Sequence, residues 1–311
     1  MTDTTIDRDS LVTPIGTAKE SRRPRKKGSY VGLFFALPAA FFIIVFMLVP
    51  VLIGFGLSFT DYSPLSRDAP AFIGIANYAR ILTDGQFLRS LGITLRYVLQ
   101  VLPPLVIIAL LLAMLANKPF KGVGVFRSAL YLPHIISLTA VSMIWLWIYS
   151  GNGLINELFG TFGLSPQRWL FETTTSLTAV SVMRIWKALG SNMVLLLAGL
   201  QGIPKELYEA ARVDGAGRWH QFRYVTLPGL RPMLTYVMIM NIIFLSQSFA
   251  EMFVLTQGGP AGSTTTINYL IYQEAFQFNS MGSASAMAFV LFAFIGGLSM
   301  IALRGMTGKQ S

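Results

Sequence analysis

The feature that most constrains this chain is the absence of charge over long apolar stretches. Residues 31–60 contain no Asp, Glu, Lys or Arg, and neither do residues 97–117, 128–156 and 275–303. Residues 232–250 are also charge-free, and the apolar character continues past Glu251 to Leu255. A sixth stretch, 177–200, is interrupted by Arg184 and Lys187. A membrane span needs roughly 20 apolar residues, because about 30 Å of hydrocarbon is crossed at about 1.5 Å per residue. The pattern therefore predicts six spans, the fourth irregular. Only 12% of residues are charged and 53% are hydrophobic, against about 25% charged in a soluble domain. That excludes an ordinary cytosolic enzyme, a disordered chain and a collagen-like one.

Helices are the expected spanning form, since a bilayer offers no water to satisfy backbone N–H and C=O groups. The runs are too long and too uniformly apolar for the alternating segments of a β-barrel. Pro38, Pro50, Pro103 and Pro104 fall in or at the ends of spans, where kinks are tolerable. The first run has a basic flank at residues 22–27 but far exceeds the apolar core of a signal peptide, so it reads as a permanent helix. Residues 1–28 are polar and read as a disordered basic tail. Residues 29–305 form the membrane domain, and 306–311 a short C-terminal tail.

The net charge of +10 would suggest nucleic acid in a soluble protein. The positions of the cations say otherwise. With the N-terminus inside and six alternating spans, 17 of the 24 Lys and Arg fall on the inner side and five on the outer, while Arg184 and Lys187 lie within a span. This is the positive-inside pattern, with both termini cytoplasmic, and it leaves no reason to invoke nucleic acid. Cysteine is absent and His134 and His220 are the only histidines, so no thiolate or histidine metal centre is expected.

The inner loop 201–232 is the most structured connection. Pro204 suits the first helical position, Glu206 favours the first turn of a helix dipole, and residues 205–213 read as a short helix stopped by a left-handed Gly215. A second short helix follows with Trp219, Phe222 and Tyr224 as bulky positions, before Leu227-Pro228 and Pro232 break the backbone. Taken alone, the loop could be a solvated connector or a compact knob that a partner approaches.

Glu209-Ala210-Ala211, Gly215 and Val225-Thr226-Leu227-Pro228 resemble the E-A-A loop of binding-protein-dependent ABC importer permeases. Asp214-Gly215-Ala216, Phe222 and Pro232 are similar to its carbohydrate branch, which handles maltose- and glycerol-phosphate-type solutes, and only Val225 varies from the usual Ile. Residues 197–204 and 256–260 are similar to that branch as well. The resemblance implies a MetI-like six-helix permease fold in a bacterial or archaeal plasma membrane. It also implies a second homologous permease, two copies of an ABC ATPase and an extracytoplasmic solute-binding protein. In that family this loop is the coupling helix. Glu209 would then contact the ATPase, Ala210, Ala211 and Ala216 would permit close packing, Gly215 would form the bend, and Asp214 would belong to the same coupling set. The chain has no phosphate-binding loop, since residues 305–309 have the wrong spacing. ATP and Mg²⁺ would therefore be bound by the partner, with no cofactor here.

Charged groups at bilayer depth mark function by default. Arg184 lies about 10 Å below the outer start of the fourth span and Lys187 one turn deeper. Antiparallel packing could bring Glu251 towards Arg184 and Gln247 to the level of Lys187. These groups read either as a structural ion pair or as a polar lining for a solute. Gln247, Ser248, Glu251, Lys187 and Asn192 are the candidates for that lining. The resemblance places Gln247 and Ser248 on a cavity-lining span, although Ala250 stands where relatives commonly have Asp. Asn192 and Asn241 could instead bond helix to helix. Trp145, Trp147 and Tyr149 read as an aromatic belt. Gly54, Gly56, Gly296 and Gly297 read as close-packing positions, and residues 258–260 as an outer turn. The alternative to an importer permease is a stand-alone ion-coupled carrier using the same charges. Against that stands the lack of duplicated halves. No nucleophile, metal cluster or carboxylate pair supports a membrane enzyme.

Overall fold

The computed structural model describes residues 30–307; the tail expected over 1–28 and residues 308–311 lie outside them. The chain divides into two units, residues 1–51 and 52–311. In the first, α1 (Tyr30–Ile43) runs into a wide turn, Ile44–Leu48, where the Val49 N–H bonds to the Ile44 carbonyl five residues back. Pro50 accounts for the widening, because its ring would crowd the carbonyl of Phe46 in a regular helix. The helix resumes as α2 (Val49–Leu57). Phe35 and Phe46 are exposed, as suits a helix among lipid tails.

The second unit contains α3 (Ala76–Thr83), α4 (Gly85–Ala116), α5 (Val123–Ile135), α6 (Leu138–Ile148), α7 (Leu154–Thr161), α8 (Ser176–Gln201) and α9 (Lys205–Val213). It continues with α10 (Arg218–Gln221), α11 (Leu227–Ser246), α12 (Ala250–Leu255), α13 (Ile267–Tyr272) and α14 (Met281–Thr307). There is no strand among the described residues, only a single bridge between Thr60 and Phe72. Five helical stretches are long and apolar enough to cross a bilayer: Phe34–Leu57, Gly85–Ala116, Ser176–Gln201, Arg218–Ser246 and Met281–Gly305. The pair α5 and α6 makes a sixth if counted as one span, and the two helices meet at 98°.

That angle corrects the expectation of a straight third span. Ile136 and Ser137 are extended, and Ser137 Oγ accepts the Ala140 N–H at 3.2 Å, capping α6. A side-chain cap starts a new helix where the old one has ended. The fifth span is also interrupted. α11 ends at Ser246 and Glu251 sits on the separate α12, past a bend at 247–249. At its inner end the reverse correction applies. Pro228 and Pro232 do not break the backbone, and Arg218–Ser246 is one helical stretch containing a wide turn at Phe222–Thr226. In that turn the Leu227 N–H reaches the Phe222 carbonyl, which gives Pro228 room as the first wide turn does Pro50. The last span starts at Met281 rather than near 275, because a wide turn, Gln273–Gln277, and a left-handed Asn279 precede it.

The core sits between α4 and α8. Tyr97, Val101 and Leu105 pack with Val180 and Met183, and further along Ala109, Ala113 and Ala116 pack with Met193, Leu196 and Leu200. Small residues at such an interface let membrane helices approach closely. Gly190 plays that part between α8 and α5, where a Cβ would collide with the Leu130 carbonyl. Gly54, Gly56, Gly296 and Gly297 do not do so among the described residues, where a Cβ at any of them meets nothing within 4 Å. Tyr149 is no belt residue either. It is buried and donates to the Ala179 carbonyl at 2.8 Å, whereas Trp147 is exposed.

Candidate functional site

The broken third span creates the site. A helix end leaves carbonyls without intrahelical donors, and the end of α5 faces α8. Lys187 on α8 supplies the donors. Its Nζ donates to the carbonyls of Pro133 (3.1 Å), His134 (3.3 Å) and Ile136 (2.6 Å), and the residue is only 7% exposed. An ammonium has three N–H groups, so Lys187 is fully engaged.

Beside this cap lies a cavity of about 490 Å³. Its walls are the break (His134, Ile136), α8 (Arg184, Lys187, Ser191, Asn192) and α11 (Tyr236, Asn241). Asn192 holds two of these walls together. Its Oδ1 accepts from Asn241 Nδ2 at 2.7 Å, while each amide also donates to its own helix, to Ala188 and Val237 at 2.8 Å.

Behind the cavity is a second polar group. Glu251 is 1% exposed; its Oε1 accepts from the Tyr97 hydroxyl at 2.9 Å and stands 3.9 Å from Arg184 Nε. Glu251 Oε2, Arg184 Nε and the hydroxyls of Ser246 and Ser248 are buried without a hydrogen-bond partner among the described residues. Such groups are rare enough in folded proteins to need an explanation.

The five sequence candidates thus separate. Lys187 and Asn192 line the cavity. Ser248 and Glu251 are buried behind it, with Arg184 belonging to both groups. Gln247 does neither: its side chain is exposed, and its carbonyl accepts from Asn268 Nδ2 at 2.8 Å. Sequence reasoning missed Tyr97, Ser191 and Tyr236. Tyr97 carries a hydroxyl at the edge of a charge-free run, a signal that was available; Ser191 and Tyr236 have none beyond their helical register.

On the inner side, α9 has the bounds expected, with Pro204 as its N-cap rather than its first residue. Gly215 at φ +75° turns the chain, and the Ala216 N–H returns to the Ala211 carbonyl at 2.8 Å. The elbow is fastened to the following helix by Gln221 Nε2 to the Ala216 carbonyl (2.8 Å) and by Tyr208 Oη with Thr226 Oγ1 (3.0 Å). Glu209 and Arg212 form an exposed pair at 4.0 Å. Ala210, Asp214 and Gly215 are exposed and Ala211 and Ala216 half-buried, while Leu207, Val213 and Trp219 present exposed apolar surface.

Comparison with known proteins gives this geometry a context. The chain is 34% identical over 275 residues to the arabinooligosaccharides transport system permease protein AraP of Bacillus subtilis, covering 87% of this chain and 86% of that protein. It is 31% identical over 275 residues to the trehalose/maltose transport system permease protein MalF of Thermococcus litoralis, covering 88% and 92%. Its fold superposes with a TM-score of 0.78, at 24% identity, on a chain from the crystal structure of a bacterial ABC transporter involved in import of alginate, covering 91% and 96%. The model of the family described as "Binding-protein-dependent transport system inner membrane component" matches residues 13–307, and the chain belongs to that family.

Proposed function

We propose that this chain is one permease subunit of an ATP-driven importer, and that it carries a saccharide or similar polyhydroxylated solute into the cell. The relatives are permeases of sugar transport systems, and the cavity offers hydroxyl and amide groups of the kind sugars bind. The chain acts without covalent chemistry. A solute-binding protein delivers the solute outside, a second permease completes the pathway, and two ATPase subunits bind ATP and Mg²⁺. Its location is a bacterial or archaeal plasma membrane, with both termini cytoplasmic, as the cation distribution supports.

One observation carries the coupling role: the elbow at residues 205–221 is bonded to the stretch Arg218–Ser246, which also walls the cavity. A push on Leu207, Val213 or Glu209 by an ATPase therefore displaces the cavity wall with the elbow. Ala210, Ala211 and Ala216 leave that partner room, and Gly215 keeps the bend. Gly215→Pro tests this, because Pro is locked near φ −65° and cannot hold +75°. The expected result is a complex that assembles and hydrolyses ATP but imports nothing. Wild-type uptake by that variant would exclude the elbow as the coupling element.

A further inference from the structure

The two cations in the cavity wall are not equivalent. Lys187 has spent its three donors on carbonyls. Arg184 makes no hydrogen bond to any described residue, its Nε is buried without a partner, and the side chain keeps 18% exposure where it lines the cavity. Its nearest carboxylate oxygen, Glu251 Oε1, is 3.9 Å away and already accepts from Tyr97. Charge does not balance either. Arg184 and Lys187 both line the cavity and no acidic residue does; Glu251 stands behind it, 3.9 Å from Arg184. A guanidinium has five donors in a planar fork that matches an oxyanion.

Resting on the reading of this cavity as the solute site, we infer that the solute is an acidic saccharide, its carboxylate or phosphate seated on Arg184. Such a group supplies both the missing acceptors and the missing charge, while the Tyr236 hydroxyl and the Ser191 oxygen, which can still accept, remain for hydroxyls. Arg184 is then the specificity-determining residue, and Lys187 shapes the wall without touching the solute.

The test measures equilibrium binding to the assembled transporter in lipid nanodiscs, with its partner permease and ATPase. The probes are a galacturonate trisaccharide against the same sugar amidated at its carboxyls, and glucose 6-phosphate against glucose. Charge-assisted bonds exceed neutral ones enough to give the acidic member of at least one pair about tenfold tighter binding. Which pair shows the preference distinguishes carboxylate from phosphate. The double variant Arg184→Gln/Glu251→Gln removes one charge of each sign. It should abolish the preference, read as the ratio of acidic to neutral binding. No acidic preference in wild type, or a preference that survives in the double variant, overturns the inference. If the double variant does not assemble, the wild-type comparison decides alone. Ser191→Trp separates the two readings. It fills the cavity and should abolish binding of every probe. Probes that still bind refute the cavity as the solute site, whereas loss of all binding with no acidic preference in wild type refutes only the acidic class.

Discussion

Replacing Lys187 with Met tests what holds the third span in its bent form. The substitution keeps an unbranched stem of similar length and removes the ammonium, so three carbonyls lose donors at 2.6, 3.1 and 3.3 Å. Hydrogen bonds to a charged group contribute about 1.5–3 kcal/mol each, which sets a ceiling of roughly 5–9 kcal/mol. Two effects lower it. His134 and Ile136 line the cavity, where water can take over as donor, and burying Met avoids the several kcal/mol that desolvating an ammonium costs. The net expectation is a loss of about 2–3 kcal/mol, placing the change among the larger single-residue effects. Lys187→Arg should lie between, because a planar fork cannot match three convergent carbonyls. The assay combines thermal unfolding of the assembled complex with a spin-label distance between Val125→Cys and Leu146→Cys, on either side of the break. Lys187→Met should lower the Tm and broaden the distance distribution. An unchanged Tm together with a wild-type distribution would show that the bend is held by packing, and the argument from the carbonyls would fail.

Three further substitutions probe other positions. Gly190→Ala puts a methyl group into the Leu130 carbonyl and should abolish a folded, extractable protein, as judged by monodisperse gel filtration, whereas Gly296→Ala should have no effect. Tyr97→Phe removes the hydroxyl that donates to Glu251 and should cost about 1–3 kcal/mol by leaving a buried carboxylate with one partner fewer; an unaltered unfolding temperature would count against a structural role for this bond.

The spans were legible because hydropathy over 20 residues is a local property, and α9 was legible because Pro204 and Gly215 punctuate it locally. The breaks were not. Residues around Ile136 are as apolar as those of an unbroken helix, and only the combination of Pro133 with Ser137 hinted at an end and a fresh start. Gln247 and Ser248, read from the sequence as lining, also fall where α11 stops, and nothing in their local composition announced that end. Glycine roles were illegible for a different reason. What a Cβ would meet depends on the neighbouring helix, so Gly190 matters and Gly54 does not, although both stand in apolar surroundings. The proximity of Arg184 to Glu251 followed from antiparallel geometry, but Tyr97 needed the α4–α8 packing to be known.

The wide turn at Phe222–Thr226 has a geometric consequence for the whole lever. Relative to a regular helix it holds one surplus residue, equivalent to about 100° of rotation about the axis. The turn therefore acts as a phase setter between the cytoplasmic handle and the rod beyond it, fixing which side chains the rod shows to the cavity when the handle is seated. Were it to relax to ordinary pitch, Tyr236 and Asn241 would swing away from Asn192 without any movement of the handle itself.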